Sequence, residues 1–128
     1  KDKVKEFTNG HGADIIYDPV GGDVFDESVR CIGWNGRLLI IGFTSGRIPS
    51  VGVNMPLIKG FSVVGVRGGE YGRRDPEVGR KNLEVIDKLA SDEKLNPHIH
   101  KTYPLERTID ALNELRNRTV IGKVCIKP

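Results

Sequence analysis

The chain has 128 residues, 38% of them hydrophobic and 29% charged, which is enough to bury a core and too apolar for a disordered chain. Its 20 Lys and Arg are scattered among 17 Asp and Glu for a net charge of +3, which excludes a nucleic-acid-binding arm. The longest apolar stretch, Leu38–Ile41, is far below the ~20 residues that cross a bilayer, so neither a membrane span nor a secretory leader is expected.

Residues 1–8 read as the end of a helix, with Val4 and Phe7 three apart and Asn9-Gly10 as its stop. A helix stump without a cap suggests that the chain is a fragment. ADIIYDPV (13–20) reads as a parallel strand buried on both faces, because its apolar run does not alternate. Asp23 is the expected cap of a helix to about Ile32, with Phe25, Val29 and Ile32 on one face. Gly33 and Gly36 then close it, with Trp34 packed in the turn.

RLLIIGF (37–43) is predicted as a second buried strand. A long connection follows, with a short helix at Met55–Ile58, and Phe61–Val66 is the third strand. Asp75-Pro76-Glu77 combines a cap, a first-turn proline and an acid. The helix it starts should turn Val78, Ile86 and Leu89 towards the sheet and end near Ser91. Beyond Leu95 a strand at 99–103, an amphipathic helix from Pro104 and a strand at 120–126 are expected, as part of a different sheet. That helix carries Leu105, Ile109, Leu112 and Leu115 on one stripe. Strand and helix alternate up to residue 91, as in right-handed parallel βαβ units.

Cys31 and Cys125 each lie in an apolar run and form no CxxC, so reduced, buried thiols and a cytoplasmic protein are expected. His98 and His100 have metal-ligand spacing but no third ligand nearby, so no metal is expected. The informative feature is glycine at three strand ends: Val20-Gly21-Gly22, Gly42-Phe43-Thr44-Ser45-Gly46 and Val66-Arg67-Gly68-Gly69. Open parallel sheets bind ligands at that edge, and glycine admits a ligand to the backbone. The backbone amides there, with the hydroxyls of Thr44 and Ser45, are candidate donors to a ribose or a carboxamide. The competing reading is that these glycines only make turns. Asp18 before Pro19 is a candidate base, but such a carboxylate more commonly bonds its own turn. Tyr17 reads as a core residue, and Tyr71, in a glycine-rich loop, as a candidate proton donor. No GxGxxG, P-loop or GxSxG is present.

ADIIYDPVGGDVFDESVRCIGWNGRLLIIGFTSGRIPSV, FSVVGVRGGEYGRRDPE and the terminal IGKVCIKP resemble the C-terminal part of the zinc-independent quinone oxidoreductases, within the medium-chain dehydrogenase/reductase superfamily. The resemblance implies an α/β fold: three strands with helices, the second half of a doubly wound Rossmann sheet, over residues 1–94. Residues 95–128 would be a strand–helix–strand tail returning to a GroES-like catalytic domain. It also implies a missing pyrophosphate loop, on a first strand preceding Lys1. Val20, Gly21 and Gly22 would lie near the nicotinamide-side ribose, and Gly42, Phe43, Thr44 and Ser45 against the nicotinamide. Val66–Gly68 would hold the carboxamide, and Arg118 would be a basic cofactor contact.

The activity so implied is NADPH-dependent hydride transfer (NADH is possible) to a quinone or an α,β-unsaturated carbonyl, with no metal, no catalytic side chain in this chain and an inactive isolated fragment. The alternatives are a non-catalytic nucleotide-binding or structural relative, and a fragment of a zinc-dependent alcohol dehydrogenase. A homodimer is expected, because the first strand would expose an apolar edge and full-length relatives dimerise along their sixth strand.

Overall fold

A computed structural model describes residues 1–128. Two compact units are present, Lys1–Tyr71 and Gly72–Pro128. The first begins with helix α1 (Asp2–Phe7), whose end is marked by Thr8, its hydroxyl bonded back to the Val4 carbonyl at 2.8 Å. Strand β1 (Ala13–Asp18), helix α2 (Gly22–Cys31), strand β2 (Ile32–Ile40), helix α3 (Asn54–Lys59) and strand β3 (Ser62–Gly65) follow. The strands form one parallel sheet in the order β1-β2-β3, with Ile16 opposite Leu38 and Leu38 opposite Val63.

The core lies on one face of this sheet. Phe25 and Val29 of α2 meet Ile32, Leu38 and Phe61, with Ile16, Ile40, Val51 and Met55 packed around them. The face predicted for α2 is therefore the one it buries. Burying side chains of this size stabilises the unit by about 1.5–3 kcal/mol each.

Several expectations are corrected. The first strand is covered on one face only: Tyr17, expected in the core, is 66% exposed and Ile15 is 62% exposed. They alternate with Ile16, which faces α2, so the uncovered face is the one that α2 does not reach. The cap of α2 is Gly21 and not Asp23, which stands inside the first turn. The second strand starts at Ile32, directly after α2, although its regular pairing begins only at Arg37 because the register shifts between Ala13 and Ile15. It stops at Ile40 because the amides of Ile41 and Gly42 turn back to the Asp18 carbonyl at 2.9 and 3.4 Å. Trp34 is 72% exposed, with its ring against Gly60.

The short helix α4 (Tyr71–Arg74) spans the boundary between the units. The second unit contains helix α5 (Pro76–Ser91), strand β4 (Ile99–Pro104), helix α6 (Thr108–Arg116) and strand β5 (Lys123–Lys127). As the sequence predicts, the Asp75 carboxylate caps α5, accepting from the Val78 amide at 3.0 Å. Strands β4 and β5 pair in parallel as a separate two-stranded sheet. Tyr103 and Ala111 are buried, whereas Ile86 and Leu89 of α5 and the whole stripe Leu105, Ile109, Leu112 and Leu115 remain exposed. The residues expected to face the sheet from α5 therefore do not form a core; Gly79 is the one buried residue of that helix. No helix is long and apolar enough to cross a membrane.

Candidate functional site

Parallel pairing brings the carboxyl ends of β1, β2 and β3, at Asp18, Ile40 and Gly65, to one edge of the sheet. Asp18 organises the first loop. Its side chain is 2% exposed, and Oδ1 accepts the amides of Val20 and Gly21, each at 2.9 Å. This is the turn-bonding role, not a base presented to a substrate. Oδ2 is buried without a hydrogen-bond partner.

The loop after β2 lies on the loop after β1. The Thr44 amide donates to the Pro19 carbonyl at 3.2 Å and the Ser45 amide to the Val20 carbonyl at 3.0 Å. Gly21 and Gly22 have φ of +68° and +55°. A Cβ on Gly21 would stand 2.9 Å from Cδ1 of Phe43, and one on Gly22 2.7 Å from Oγ of Ser45. Backbone conformation and close approach thus both require glycine here. The contact also decides which donors remain. The amides of Thr44, Ser45, Val20 and Gly21 are committed within the chain, while the Phe43 amide and the Thr44 hydroxyl have no partner in it. A group with hydrogen-bond acceptors would find those two donors on the exposed side of the loop.

Sequence reasoning missed Arg47. Its carbonyl accepts the Gly22 amide at 3.1 Å, which satisfies one of the free donors at the start of α2. Its Nη2 reaches Asp23 Oδ1 at 2.9 Å and Asp26 Oδ2 at 2.5 Å. Those carboxylates, Asp26 foremost, hold the guanidinium even more firmly protonated than usual. The signal was present as two acids three apart at the start of α2 and one arginine closing GFTSGR. The partners are 24 and 21 residues away, so only the fold joins them.

The third strand end is tied to the second: the Val66 amide donates to the Ile40 carbonyl at 3.0 Å, and Gly68 opens a short 3-10 turn to Glu70. Arg67 in that turn pairs with Glu70 at 3.3 Å. Tyr71, beyond the turn, is exposed. Of the ten residues expected at a cofactor, Val20, Gly21, Gly22, Gly42, Phe43, Thr44 and Ser45 are gathered in the two stitched loops, and Val66 and Gly68 follow the neighbouring strand. Arg118 belongs to the second unit, in the turn after α6, at φ +56°.

No three His, Cys, Asp or Glu side chains come together as metal ligands. Cys31 is buried and Cys125 half-buried, and both are free thiols. His100 is engaged on both nitrogens: Nδ1 accepts the Ile121 amide at 3.4 Å and Nε2 lies 3.6 Å from Glu114. Glu114 also meets Lys101 at 3.3 Å, and the Lys101 ammonium lies 4.7 Å from the centre of the Tyr103 ring. Tyr103, and after it Lys101, holds the Glu114 carboxyl below its ordinary range.

Comparison with known proteins shows the family. The zinc-binding dehydrogenase family model matches residues 1–126. A quinone oxidoreductase-like protein 2 homolog of Nematostella vectensis is 39% identical over 127 residues, covering 98% of this chain and 35% of that protein. Quinone oxidoreductase-like protein 2 of Rattus norvegicus is 34% identical over 126 residues, covering 98% of this chain and 36% of that protein. The chain therefore spans little more than a third of these relatives' length. A mycobacterial protein solved in complex with NADPH superposes with a TM-score of 0.79 at 26% identity, over 99% of this chain and 39% of that one.

Proposed function

The chain belongs to the zinc-binding dehydrogenase family, within the medium-chain dehydrogenase/reductase superfamily, and on that premise we propose that it is the C-terminal part of an NADPH-dependent oxidoreductase. The acceptor in this reading is a quinone or an α,β-unsaturated carbonyl. Quinone oxidoreductase-like relatives and an NADPH-bound structural neighbour support it. The observation that carries it is the stitched pair of loops at the sheet edge, with two glycines where a Cβ would collide and two donors left unspent.

The residues present fit a nicotinamide nucleotide. When bound, NADPH supplies the hydride. Gly21 and Gly22 let the chain approach it without a Cβ, and Val20 and Gly42 frame that gap. The Phe43 amide and the Thr44 hydroxyl donate to it, Ser45 holds the loop shape, and Val66 and Gly68 bound the far side. Arg118 is proposed as a basic cofactor contact of the complete polypeptide. Fixed backbone donors of this kind orient a ring for transfer without reorganising. No side chain of this chain is assigned as an acid or base.

Residues 1–94 are read as half of the nucleotide-binding sheet, and residues 95–128 as the return to a catalytic domain. We read the protein as zinc-independent on its likeness to quinone oxidoreductase-like relatives, and derive no step through a metal. It is read as cytoplasmic and as a homodimer, the latter supported by β3 being an edge strand with Val63 and Val64 exposed.

The test uses the complete polypeptide that contains this chain. NADPH should bind it and be oxidised in the presence of a quinone or enone panel. The isolated 128-residue chain should show no turnover. Absence of NADPH binding by the complete polypeptide would overturn the reading; binding without oxidation across the panel would favour a non-catalytic relative.

A further inference from the structure

Arg47 lies outside the residues assigned to the cofactor, yet it touches the site in three ways. Its carbonyl accepts the Gly22 amide at 3.1 Å, its own amide donates to Ser45 Oγ at 3.3 Å, and its guanidinium holds Asp23 and Asp26. Ser45 Oγ is in turn the atom that a Cβ on Gly22 would strike, at 2.7 Å. The separation between the two loops is therefore set where Arg47 bolts the second loop to the first turns of α2. Without the guanidinium, Ser45 would be held over Gly22 by main-chain bonds and by the bonds of its own hydroxyl to Arg47.

We propose that Arg47 is a positioning residue: by bridging Asp23 and Asp26 it fixes the loop 42–46 against Gly22, and so presents the Phe43 amide and the Thr44 hydroxyl at the spacing that a nicotinamide nucleotide requires. The inference rests on the cofactor reading given above. In this role Arg47 acts through Ser45 and Gly22 and not by contact with the nucleotide. Two carboxylates on one guanidinium form a small network, which holds geometry better than an isolated exposed pair.

The experiment compares Arg47→Ala, Arg47→Lys, Asp26→Asn and the double variant R47A/D26N in the complete polypeptide, using NADPH as the probe. Arg47→Ala should weaken NADPH binding about five-fold while kcat stays within about two-fold. Arg47→Lys, which keeps the charge, should recover part of the loss. Asp26→Asn should weaken binding in the same direction, and R47A/D26N should be no worse than Arg47→Ala alone. In 1 M salt, where screening acts over ~3 Å, the gap between the unchanged protein and Arg47→Ala should narrow.

Equal NADPH affinity in Arg47→Ala and the unchanged protein overturns the proposal, as do losses from Arg47 and Asp26 that simply add. Failure of the unchanged protein to bind NADPH would instead strike the cofactor reading. In that case amide hydrogen exchange at Gly22 and Ser45 still decides about Arg47. Exchange about five-fold faster in Arg47→Ala supports the clamp, and unchanged exchange overturns it.

Discussion

The two units use the same elements with opposite economy. In Lys1–Tyr71 a parallel sheet is covered by α2, and Phe25, Val29, Ile32, Leu38 and Phe61 close into a core. In Gly72–Pro128 the sheet has two strands, and the apolar stripes of α5 and α6 stay in solvent around Tyr103 and Ala111. Amphipathic patterning is present in both, strongest in α2 and weakest in α6. The difference is the presence of a surface on which to lay the stripe. A helix pattern predicts which side seeks burial, and the chain at hand decides whether burial is available.

The sharpest way to break this comparison is truncation in each unit. Leu38, 0% exposed, should cost about 2–5 kcal/mol when changed to Ala, read as a lowered urea midpoint of this chain. Leu112, 54% exposed, should cost no more than about 0.5 kcal/mol by the same change. Similar losses at the two positions would mean that the stripe on α6 is already covered.

Next in size is Asp18→Ala, which strands the amides of Val20 and Gly21 and should cost about 3 kcal/mol. Asp18→Asn keeps one acceptor oxygen and should cost clearly less in the same denaturation experiment. Equal losses would show that the charge, and not the two bonds, secures the turn.

Gly22→Ala should be smaller, about 1–2 kcal/mol, from its positive φ and the clash with Ser45 Oγ. It should also displace the loop 42–46, visible as shifted amide resonances at Thr44 and Ser45. Unshifted resonances would contradict the close approach.

The smallest effect belongs to the second unit and to acid. The Glu114 carboxyl is lowered in the folded chain by Tyr103 first, then by Lys101, from an ordinary value of 4.5. A lowered folded value means that its contribution is complete above about pH 4.5 and is lost as pH falls through the lower folded value. Protection factors in β4 and β5, taken against intrinsic exchange at each pH, should therefore fall more steeply below about pH 4.5 in the unchanged chain than in Glu114→Gln. Identical slopes would remove Glu114 from the account.

Local chemistry was legible in the sequence. The cap at Asp75, the three strand cores and the separate sheet after Leu95 follow from short-range patterns, and all are present. The Asp18 turn was legible too, because its acceptor and donors lie within three residues. What escaped depends on distance along the chain. Arg47 finds its partners only after α2 and β2 have folded back. Tyr17 has the composition of a core residue, but its face of β1 meets no helix of this unit. Asp23 lost the cap to Gly21 because the loop after β2 supplies the Arg47 carbonyl to that turn instead.

The chain has a single tryptophan, Trp34 near the start of β2, and its ring leans on Gly60 at the end of α3 while most of it faces water. At 72% exposure its fluorescence in the native chain should already be that of a hydrated indole. Unfolding changes that environment little, so the emission maximum will barely move while the sheet melts. Trp34 is thus a nearly silent reporter of stability, and the buried Tyr103 ring or the backbone dichroism is the signal that follows the fold.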